Sequence, residues 1–514
     1  MQEVARYRVI SGARERSTAA IGERALRAAS GFAALGVKAG DAIALVLRND
    51  FPAFEATFAA MRLGAYCVPV NWHGKTAEIA YVLADCGAKV VIAHADLLEQ
   101  VIPALRAGTT LLVVPTPEEI ASAYQIAPER CTAPDDATLW ETFLAQHAPM
   151  PFGTGGGSSM IYTSGTTGQP KGVRRVPLNE DAAAAVARLA KDVFGVFPGC
   201  AIRTVITGPL YHSAPNFFGL ASVRDGDLVI LQPRFDAEEL LRLISQYRIT
   251  HLHMVPTMFV RLLRLPDAVK QQYDLSSLQW VVHAAAPCPV DIKRQMIEWW
   301  GPVIVEYYGG TEMGAVAFHT APEALAKPGT VGRARPGATI RIYDEEGNVQ
   351  PPGEIGEVYG WAENWPDFAY HGMPERRKEC DRDGLVSIGD VGYLDADGYL
   401  FLCDRKRDMV IFAGTNIYPA EIEAALLAMP GVDDCAVFGI PDDEYGERLA
   451  AHIMPQRGMT LDATAVREFL RERLASYKVP HVIKFDSDLP REDSGKIMKR
   501  KLRDPYWASV RRQI

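Results

Sequence analysis

Apolar positions along the chain fall into two alternating rhythms. Over 17–36, alanines and leucines recur at helical spacing and stop at Gly36; after the Lys38–Asp41 turn, Ala42–Leu47 is a short apolar run. A run of that length bounded by turn residues predicts a strand covered on both faces. The cycle repeats with a helix over 51–63 closed by Gly64 and a strand at Tyr66–Val70. It repeats again with a helix over 76–86 closed by Gly87 and a strand at Lys89–Ala93. Helices alternating with apolar strands predict an α/β architecture with parallel pairing. Residues 114–157 interrupt the rhythm with Pro, Thr, Asp and Gly and are expected to form a loop-bearing region.

The alternation resumes with strands at Arg203–Thr207, Asp227–Leu231, Leu278–His283 and Val303–Glu306, a helix over 236–247 and the segment His251–Thr257. From about 328 the pattern changes to short strands separated by turns: Gly329–Ala334, Thr339–Tyr343, Gly353–Tyr359 and Leu385–Asp390. These predict a β-rich subdomain, with Asp390–Gly398 and Tyr399–Cys403 forming a hairpin. The charged run Asp404–Asp408 then separates a large N-terminal part from some hundred residues with their own α/β pattern. Within that last part Pro419 takes the favoured first position of a helix, strands are expected at Val432–Phe438 and Leu449–Met454, and a helix over 463–474. The chain ends on a basic tail, compatible with a solvated helix or with a weak contact to anionic lipid or CoA phosphate.

Composition narrows the class. At 514 residues the chain exceeds what one core usually organises. Its hydrophobic fraction of 48% and charged fraction of 23% are those of a globular protein. A net charge of -9 argues against wholesale nucleic-acid binding, which wants a basic face. The eight cysteines (67, 86, 131, 200, 288, 380, 403, 435) are scattered without a C-x-x-C pair, which suits a reducing compartment rather than a disulfide framework or zinc site. The N-terminus lacks the apolar core of a signal peptide, and no apolar run reaches the length of a membrane span. A cytoplasmic enzyme is the expectation, and homodimerisation is compatible with the chain.

The densest chemistry lies between two short apolar runs, in Thr163-Ser164-Gly165-Thr166-Thr167-Gly168-Gln169-Pro170-Lys171-Gly172. Glycines let successive N–H groups converge on an anion, hydroxyls add donors, and Lys171 brings a compact positive charge. An ordinary P-loop is excluded, because it needs Ser or Thr directly after the lysine and Gly172 stands there. In Glu306-Tyr-Tyr-Gly-Gly-Thr-Glu312 a strand is expected to end at Glu306. Beyond it Tyr308 could stack on a base, Thr311 meet a phosphate and Glu312 hold a magnesium ion. Asp390, read as a strand-end residue, could accept hydrogen bonds from a ribose diol. Ala284-Ala-Ala-Pro287 leaves room at the C-terminal end of a strand, where open α/β sheets place ligands. His212 sits at a strand end among apolar and aromatic residues.

Taken together these segments resemble the adenylate-forming superfamily of acyl-CoA synthetases, firefly luciferases and peptide-synthetase adenylation domains. Tyr162–Gly172 is similar to its phosphate loop and Tyr308–Glu312 to its Y-G-x-T-E motif. Gly389-Asp390 is similar to its ribose-binding aspartate, Arg405 to the arginine before its hinge, and Gly495-Lys496 to its C-terminal lysine. The resemblance implies an N-terminal adenylate-forming domain over 1–404 that includes the β-rich subdomain, a hinge at 405–407 centred on Arg407, and a small mobile α+β domain over 408–514. It implies an enzyme using ATP, Mg2+ and coenzyme A. Thr163, Ser164, Gly165, Thr166, Thr167, Gly168 and Lys171 would hold the β- and γ-phosphates, with the metal on Glu312. Tyr308 and the backbone of Ala285, Ala286 and Pro287 would sandwich the adenine, with Asp390 and Arg405 on the ribose and Glu306 and Thr311 among the nucleotide contacts. Lys496 would bridge the carboxylate and α-phosphate, then withdraw as the strand pair around Gly414 enters to line a pantetheine tunnel. His212 would gate the acyl pocket, with Asn216, Ala284, Gly309 and Gly310 beside the substrate.

The chain departs from the family pattern at Arg407, where Asp or Lys is usual, at Ala284, where glycine is usual, and at Gly310, where the motif carries a side chain. The apolar surroundings of 210–220 and 254–260 lack an acidic residue to receive an ammonium. The expected substrate is therefore a hydrophobic carboxylic acid, a medium- or long-chain fatty acid first and an aryl- or sterol-type acid next. A ligase loading a carrier protein is the further alternative.

Overall fold

The computed structural model describes residues 7–151, 153, 155–163, 170–405, 408–412, 415–442, 445–491 and 497–508. Among the described residues the largest sheet has nine strands. Its centre is parallel and runs from Arg8–Ser11 through Leu228–Leu231, Arg203–Ile206, His251–Met254 and Trp280–His283 to Ile304–Gly310. Antiparallel strands close both edges, Arg14–Ser17 on one side and Gly314–His319 followed by Arg333–Ala334 on the other. A second, five-stranded parallel sheet carries Ala42–Val46, Tyr66–Pro69, Val90–His94, Thr110–Val114 and Ser158–Ser159. The parallel pairing expected from the helix–strand alternation is thus present in both sheets. A common apolar core fills the space between them, with Phe32, Phe54 and Phe218 each almost fully buried.

Several boundaries differ from the sequence reading, each for a visible reason. The region 114–157 carries three short helices, Glu118–Tyr124, Pro128–Cys131 and Trp140–Ala145, the last anchored by a Trp140 that is 1% exposed. Each helix is too short to establish a periodicity. The strand expected to end at Glu306 continues to Gly310, because it folds back on Gly314–His319 as a hairpin. Asp390 is not at a strand end but inside Leu385–Leu394, paired with Gly356–Ala362 on one side and Leu400–Arg405 on the other. His212 belongs to the next element, standing immediately before the helix Ser213–Asp225.

The β-rich sheet joins Ala338–Tyr343, Gly356–Ala362, Leu385–Leu394, Asp381–Arg382 and Leu400–Arg405. A smaller C-terminal sheet is built on the long hairpin Val432–Asp442 and Gly446–Pro455, with Val410–Phe412, Thr415–Ile417 and Val482–Phe485 added at its sides. It has its own core, in which Ile422, Leu426 and Val437 on one side meet Val466 and Leu470 from the helix Ala463–Arg471. The fold is therefore α/β layers with a β-rich unit and a smaller α+β C-terminal domain. One contact between the large part and the C-terminal sheet is the ion pair Arg264–Asp433 at 2.8 Å, both side chains partly exposed. Among the described residues no helix is long and apolar enough to cross a membrane.

Candidate active site

The expected phosphate loop is the connection of an antiparallel hairpin, Ile161–Thr163 with Lys171–Arg175. Ser164, Gly165, Thr166, Thr167 and Gly168 lie outside the described residues, but the two strands fix where the connection begins and ends. A third strand, Phe368–Tyr370, pairs with Lys171–Arg175 and sets Tyr370 opposite Val173. Glycine at 172 has a steric reason: a Cβ there would come within 3.0 Å of the Tyr162 ring. Lys171 is buried, its ammonium 5.0 Å from the Tyr370 ring centroid, and its pKa is lowered by that burial and by the nearby Arg376 charge.

The second hairpin, Ile304–Gly310 with Gly314–His319, presents Tyr308 to Glu312 to the same cleft. Its register slips between Tyr308 and Gly309, where a Cβ on Gly309 would lie 1.8 Å from the Gly314 carbonyl oxygen. Glycine at 309 is thus demanded by the backbone, quite apart from any substrate. The turn is clamped by Arg175, whose guanidinium donates to the carbonyl oxygens of Thr311 and, at 2.7 Å, Pro366. Glu312, 8% exposed, accepts from the Thr163 hydroxyl at 3.3 Å and the Tyr370 hydroxyl at 3.2 Å. Thr311 donates to the Ser213 hydroxyl at 3.0 Å. Hydroxyl donors leave carboxylate lone pairs for a hard cation, and Mg2+ is commonly held by one or two carboxylates together with substrate phosphates. Among the described residues no cluster of three or more His, Cys, Asp or Glu could form an all-protein metal cage. The donor set therefore fits Mg2+ shared with a polyphosphate.

Tyr308 closes the other side of the cleft, its hydroxyl donating to Asp390 Oδ2 at 2.8 Å. Asp390 lies opposite Arg405 in the backbone register, so the two expected ribose residues are cross-strand neighbours. Ala284 to Pro287 follow the strand Trp280–His283 at its C-terminal end. Ala285 holds a left-handed backbone with φ 75°, a conformation costly to a residue with a Cβ and concentrated at functional sites.

Thr163, Lys171, His212, Ala284 to Pro287, Tyr308 to Glu312 and Asp390 all line one cavity of about 3990 Å3. Phe194, Phe217, Leu220 and Tyr307 line the same cavity as an apolar group. Ring centroids of Phe194 lie 5.3 Å from Phe217 and 5.5 Å from Tyr307. His212 is half-buried in the lining, its ring 4.5 Å from that of Tyr211. Arg407, Gly414 and Lys496 fall outside the described residues, as does the Arg405 side chain.

Two of the expected contact residues, Glu306 and Asn216, also line this cavity and are held by bonds within the fold. Glu306, expected among the nucleotide contacts, is buried in an ion pair with Lys293 and accepts from His319 at 2.7 Å. Burial acts to raise its pKa, but the opposing charges of His283, Lys293 and His319 bring it down to about 2. His283, 3.8 Å away, is itself pushed to about 3 by burial, so at neutral pH Lys293 is the fixed cation balancing the carboxylate. Glu306 thus braces the strand beneath Tyr308 from inside the fold. Asn216, expected beside the substrate, accepts from Ser159 at 2.8 Å and donates to the Leu210 carbonyl at 3.0 Å, tying the helix to two neighbouring segments. Tyr370 and Arg175 were not expected; only strand pairing brings them to the site, and no spacing in the sequence announces it.

A family model described as AMP-binding enzyme matches residues 2–363, and one described as AMP-binding enzyme C-terminal domain matches residues 421–496. The chain belongs to the adenylate-forming acyl-CoA synthetases. A feruloyl-CoA synthase from Amycolatopsis sp is 34% identical over 492 residues, covering 94% of this chain and 93% of that protein. A long-chain-fatty-acid–CoA ligase from Mycobacterium tuberculosis is 31% identical over 491 residues, covering 94% and 92%. Among solved structures, ATP-bound MatB from Rhodopseudomonas palustris superposes with a TM-score of 0.82 at 28% identity, covering 100% of this chain and 98% of that one. As a member of this family the synthetase is an AMP-forming acid–thiol ligase acting through an acyl-adenylate, with ATP, Mg2+ and CoA.

Proposed function

We propose that this synthetase activates a hydrophobic, aryl-type carboxylic acid and transfers it to CoA. The observation that carries the substrate class is the aromatic group Phe194, Phe217 and Tyr307 on the cavity wall. Stacked or edge-on ring contacts favour an aromatic guest, and the feruloyl-CoA synthase is among the relatives. This reverses the order of the two acids expected from sequence. A medium- or long-chain fatty acid stands second, supported by the fatty-acid ligase of similar coverage.

In this reading the carboxylate enters past His212 and meets the nucleotide at the Tyr308–Glu312 hairpin. Mg2+ on Glu312 would offset polyphosphate charge. The hydroxyl-rich loop and Lys171 orient the leaving pyrophosphate, Tyr308 and the Ala285–Pro287 backbone hold the adenine, and Asp390 with Arg405 holds the ribose. Lys496 bridges the carboxylate and α-phosphate. Catalysis then rests on positioning and on stabilising charge that develops at phosphorus. The boundaries 1–404, 405–407 and 408–514, the pivot at Arg407 and the entry of the Gly414 segment for the thiol step are parts of the same proposal. A moving domain lets one site run two incompatible half-reactions.

A panel of carboxylic acids with ATP, read as AMP release with and without CoA, tests it. Thioester formation with arylalkenoic acids above that with alkanoic acids is expected. AMP formation only with a carrier protein in place of CoA would overturn the ligase assignment. Lys496→Ala is expected to abolish adenylation while keeping thioester formation from supplied acyl-AMP; equal loss of both would remove Lys496 from that role. Cytoplasmic residence, self-association and a weak contact of the basic tail with anionic lipid belong to the same reading. Fractionation, light scattering and vesicle sedimentation would test these three.

A further inference from the structure

The cavity wall carries a buried polar residue, beside the aromatic group, that the reaction does not use. His253 lies in the strand His251–Met254, is 4% exposed and lines the cavity with Phe194, Phe217 and Tyr307. Its ring stands 6.0 Å from that of Phe194 and 6.1 Å from that of Phe218. The backbone carbonyl is satisfied by the Thr207 hydroxyl at 3.0 Å, but the ring Nε2 meets no hydrogen-bond partner. Burial pushes its pKa down to about 4, so the imidazole is neutral at physiological pH and offers one N–H donor and one bare nitrogen acceptor.

Such a group is expensive where it stands. Leaving a buried polar atom unpaired is destabilising, whereas Leu or Phe at this point would carry no such penalty. Strand register adds depth: His253 is level with Val282, two residues, or about 7 Å, below Ala284, which is expected beside the substrate and directly before the adenine-binding Ala285–Pro287. A partner for the ring would therefore sit at the far end of the bound acid. A neutral imidazole cannot balance a second carboxylate or an ammonium in an apolar pocket, but it complements a hydroxyl, which both donates and accepts.

We infer that His253 is a specificity-determining residue that hydrogen-bonds a hydroxyl on the distal part of the acyl group, so that the preferred acid is hydroxylated. The inference rests on the acid–thiol ligase assignment and deepens the aryl-acid reading without depending on it, since a chain hydroxyl on an alkanoic acid would meet the same ring.

The test uses acids in pairs: 3-phenylpropenoic acid against its ring-hydroxylated analogues, and alkanoic acids against the corresponding chain-hydroxylated acids. The kcat/KM of thioester formation is measured for the wild-type enzyme, His253→Leu and His253→Asn. The wild type is expected to favour the hydroxylated member of a pair by about tenfold to a hundredfold, the size of one buried hydrogen bond and its unpaired partner. His253→Leu should erase the preference by slowing the hydroxylated acid while sparing or speeding the plain one, and His253→Asn should restore part of it. A wild-type enzyme without preference in either series overturns the inference, even if His253→Leu fails to fold. So does a variant that slows both members by the same factor. Turnover of the alkanoic pair alone refutes the aryl-acid reading, while the ratio within that pair still decides the role of His253.

Discussion

Replacing Lys293 by Met should expose how much of the synthetase's stability rests on one buried carboxylate. Glu306 is 2% exposed and Lys293 6%, and the strand that carries Glu306 continues into the Tyr308–Glu312 hairpin. Moving a carboxyl from its ordinary 4.5 to about 2 corresponds to about 3 kcal/mol, at 1.36 kcal/mol per pK unit, and His283, Lys293 and His319 supply it together. Methionine keeps the length and apolar stem of lysine but not the charge. Breaking a buried pair from one side commonly costs about 3–5 kcal/mol because the remaining charge is left uncompensated. A loss of about 3 kcal/mol is therefore expected at pH 7, read from the urea midpoint of the unfolding transition. The pH dependence carries a second signature. Because the folded pKa lies below the unfolded one, the wild-type contribution is fully present above pH 4.5 and disappears as the pH falls toward 2. The gap between wild type and Lys293→Met should narrow over that window as Glu306 takes up a proton. A loss under about 1 kcal/mol at pH 7, the range of an exposed ion pair, or a gap that stays constant down to pH 3, would refute the reasoning.

Other perturbations probe the site directly. Glu312→Gln should lower the rate of adenylation by about 100-fold or more, on the scale of losing one preorganised electrostatic contact, with saturation shifted to higher Mg2+. An unchanged Mg2+ titration of pyrophosphate release would remove Glu312 from metal binding. Tyr308→Phe removes the hydrogen bond to Asp390 and should raise the KM for ATP about three- to tenfold, from about 0.5–1.5 kcal/mol, with kcat little altered. Equal changes in both constants would contradict a nucleotide-binding role. Ala285→Gly should relieve part of the left-handed strain, about 1–2 kcal/mol for a residue with a Cβ. Glycine's added unfolded-state entropy offsets about 0.5–1 kcal/mol of this. A small net gain in thermal midpoint is expected, and a loss would mean that the Ala285 methyl is needed for packing.

The sequence announces the layers because long helices and buried parallel strands leave strong periodic traces, as Thr76–Cys86 followed by Val90–His94 illustrates. It hides what depends on which strand meets which. Glu306 looks like a strand terminus because the following Tyr-Tyr-Gly-Gly lacks an apolar rhythm, yet the hairpin partner Gly314–His319 carries the strand on. Asp390 looks like an end for the same reason, although its strand is held on both sides. Tyr308 and Glu312 line one cleft because they lie four residues apart at the end of one hairpin, whereas Asp390, 82 positions from Tyr308, joins them only through the tertiary fold. Tyr370 reaches Glu312 only through a strand nearly two hundred positions from the one it pairs with, a relation no local pattern encodes. His253 reads as one more residue of an apolar strand, since the absence of a partner for its ring can be known only after everything around it is placed.

The ion pair between Arg264 and Asp433 carries a mechanical consequence. With side chains 46% and 24% exposed, it falls in the class worth about 0–1 kcal/mol, little more than the thermal energy of about 0.6 kcal/mol. A clasp that weak marks a resting place without enforcing it. Simple salt, screening charges over about 8 Å at physiological strength, should loosen it further. If the C-terminal domain turns between half-reactions as proposed, releasing this clasp adds almost nothing to the barrier. The timing of the turn would then be governed by what occupies the cleft rather than by the joint itself.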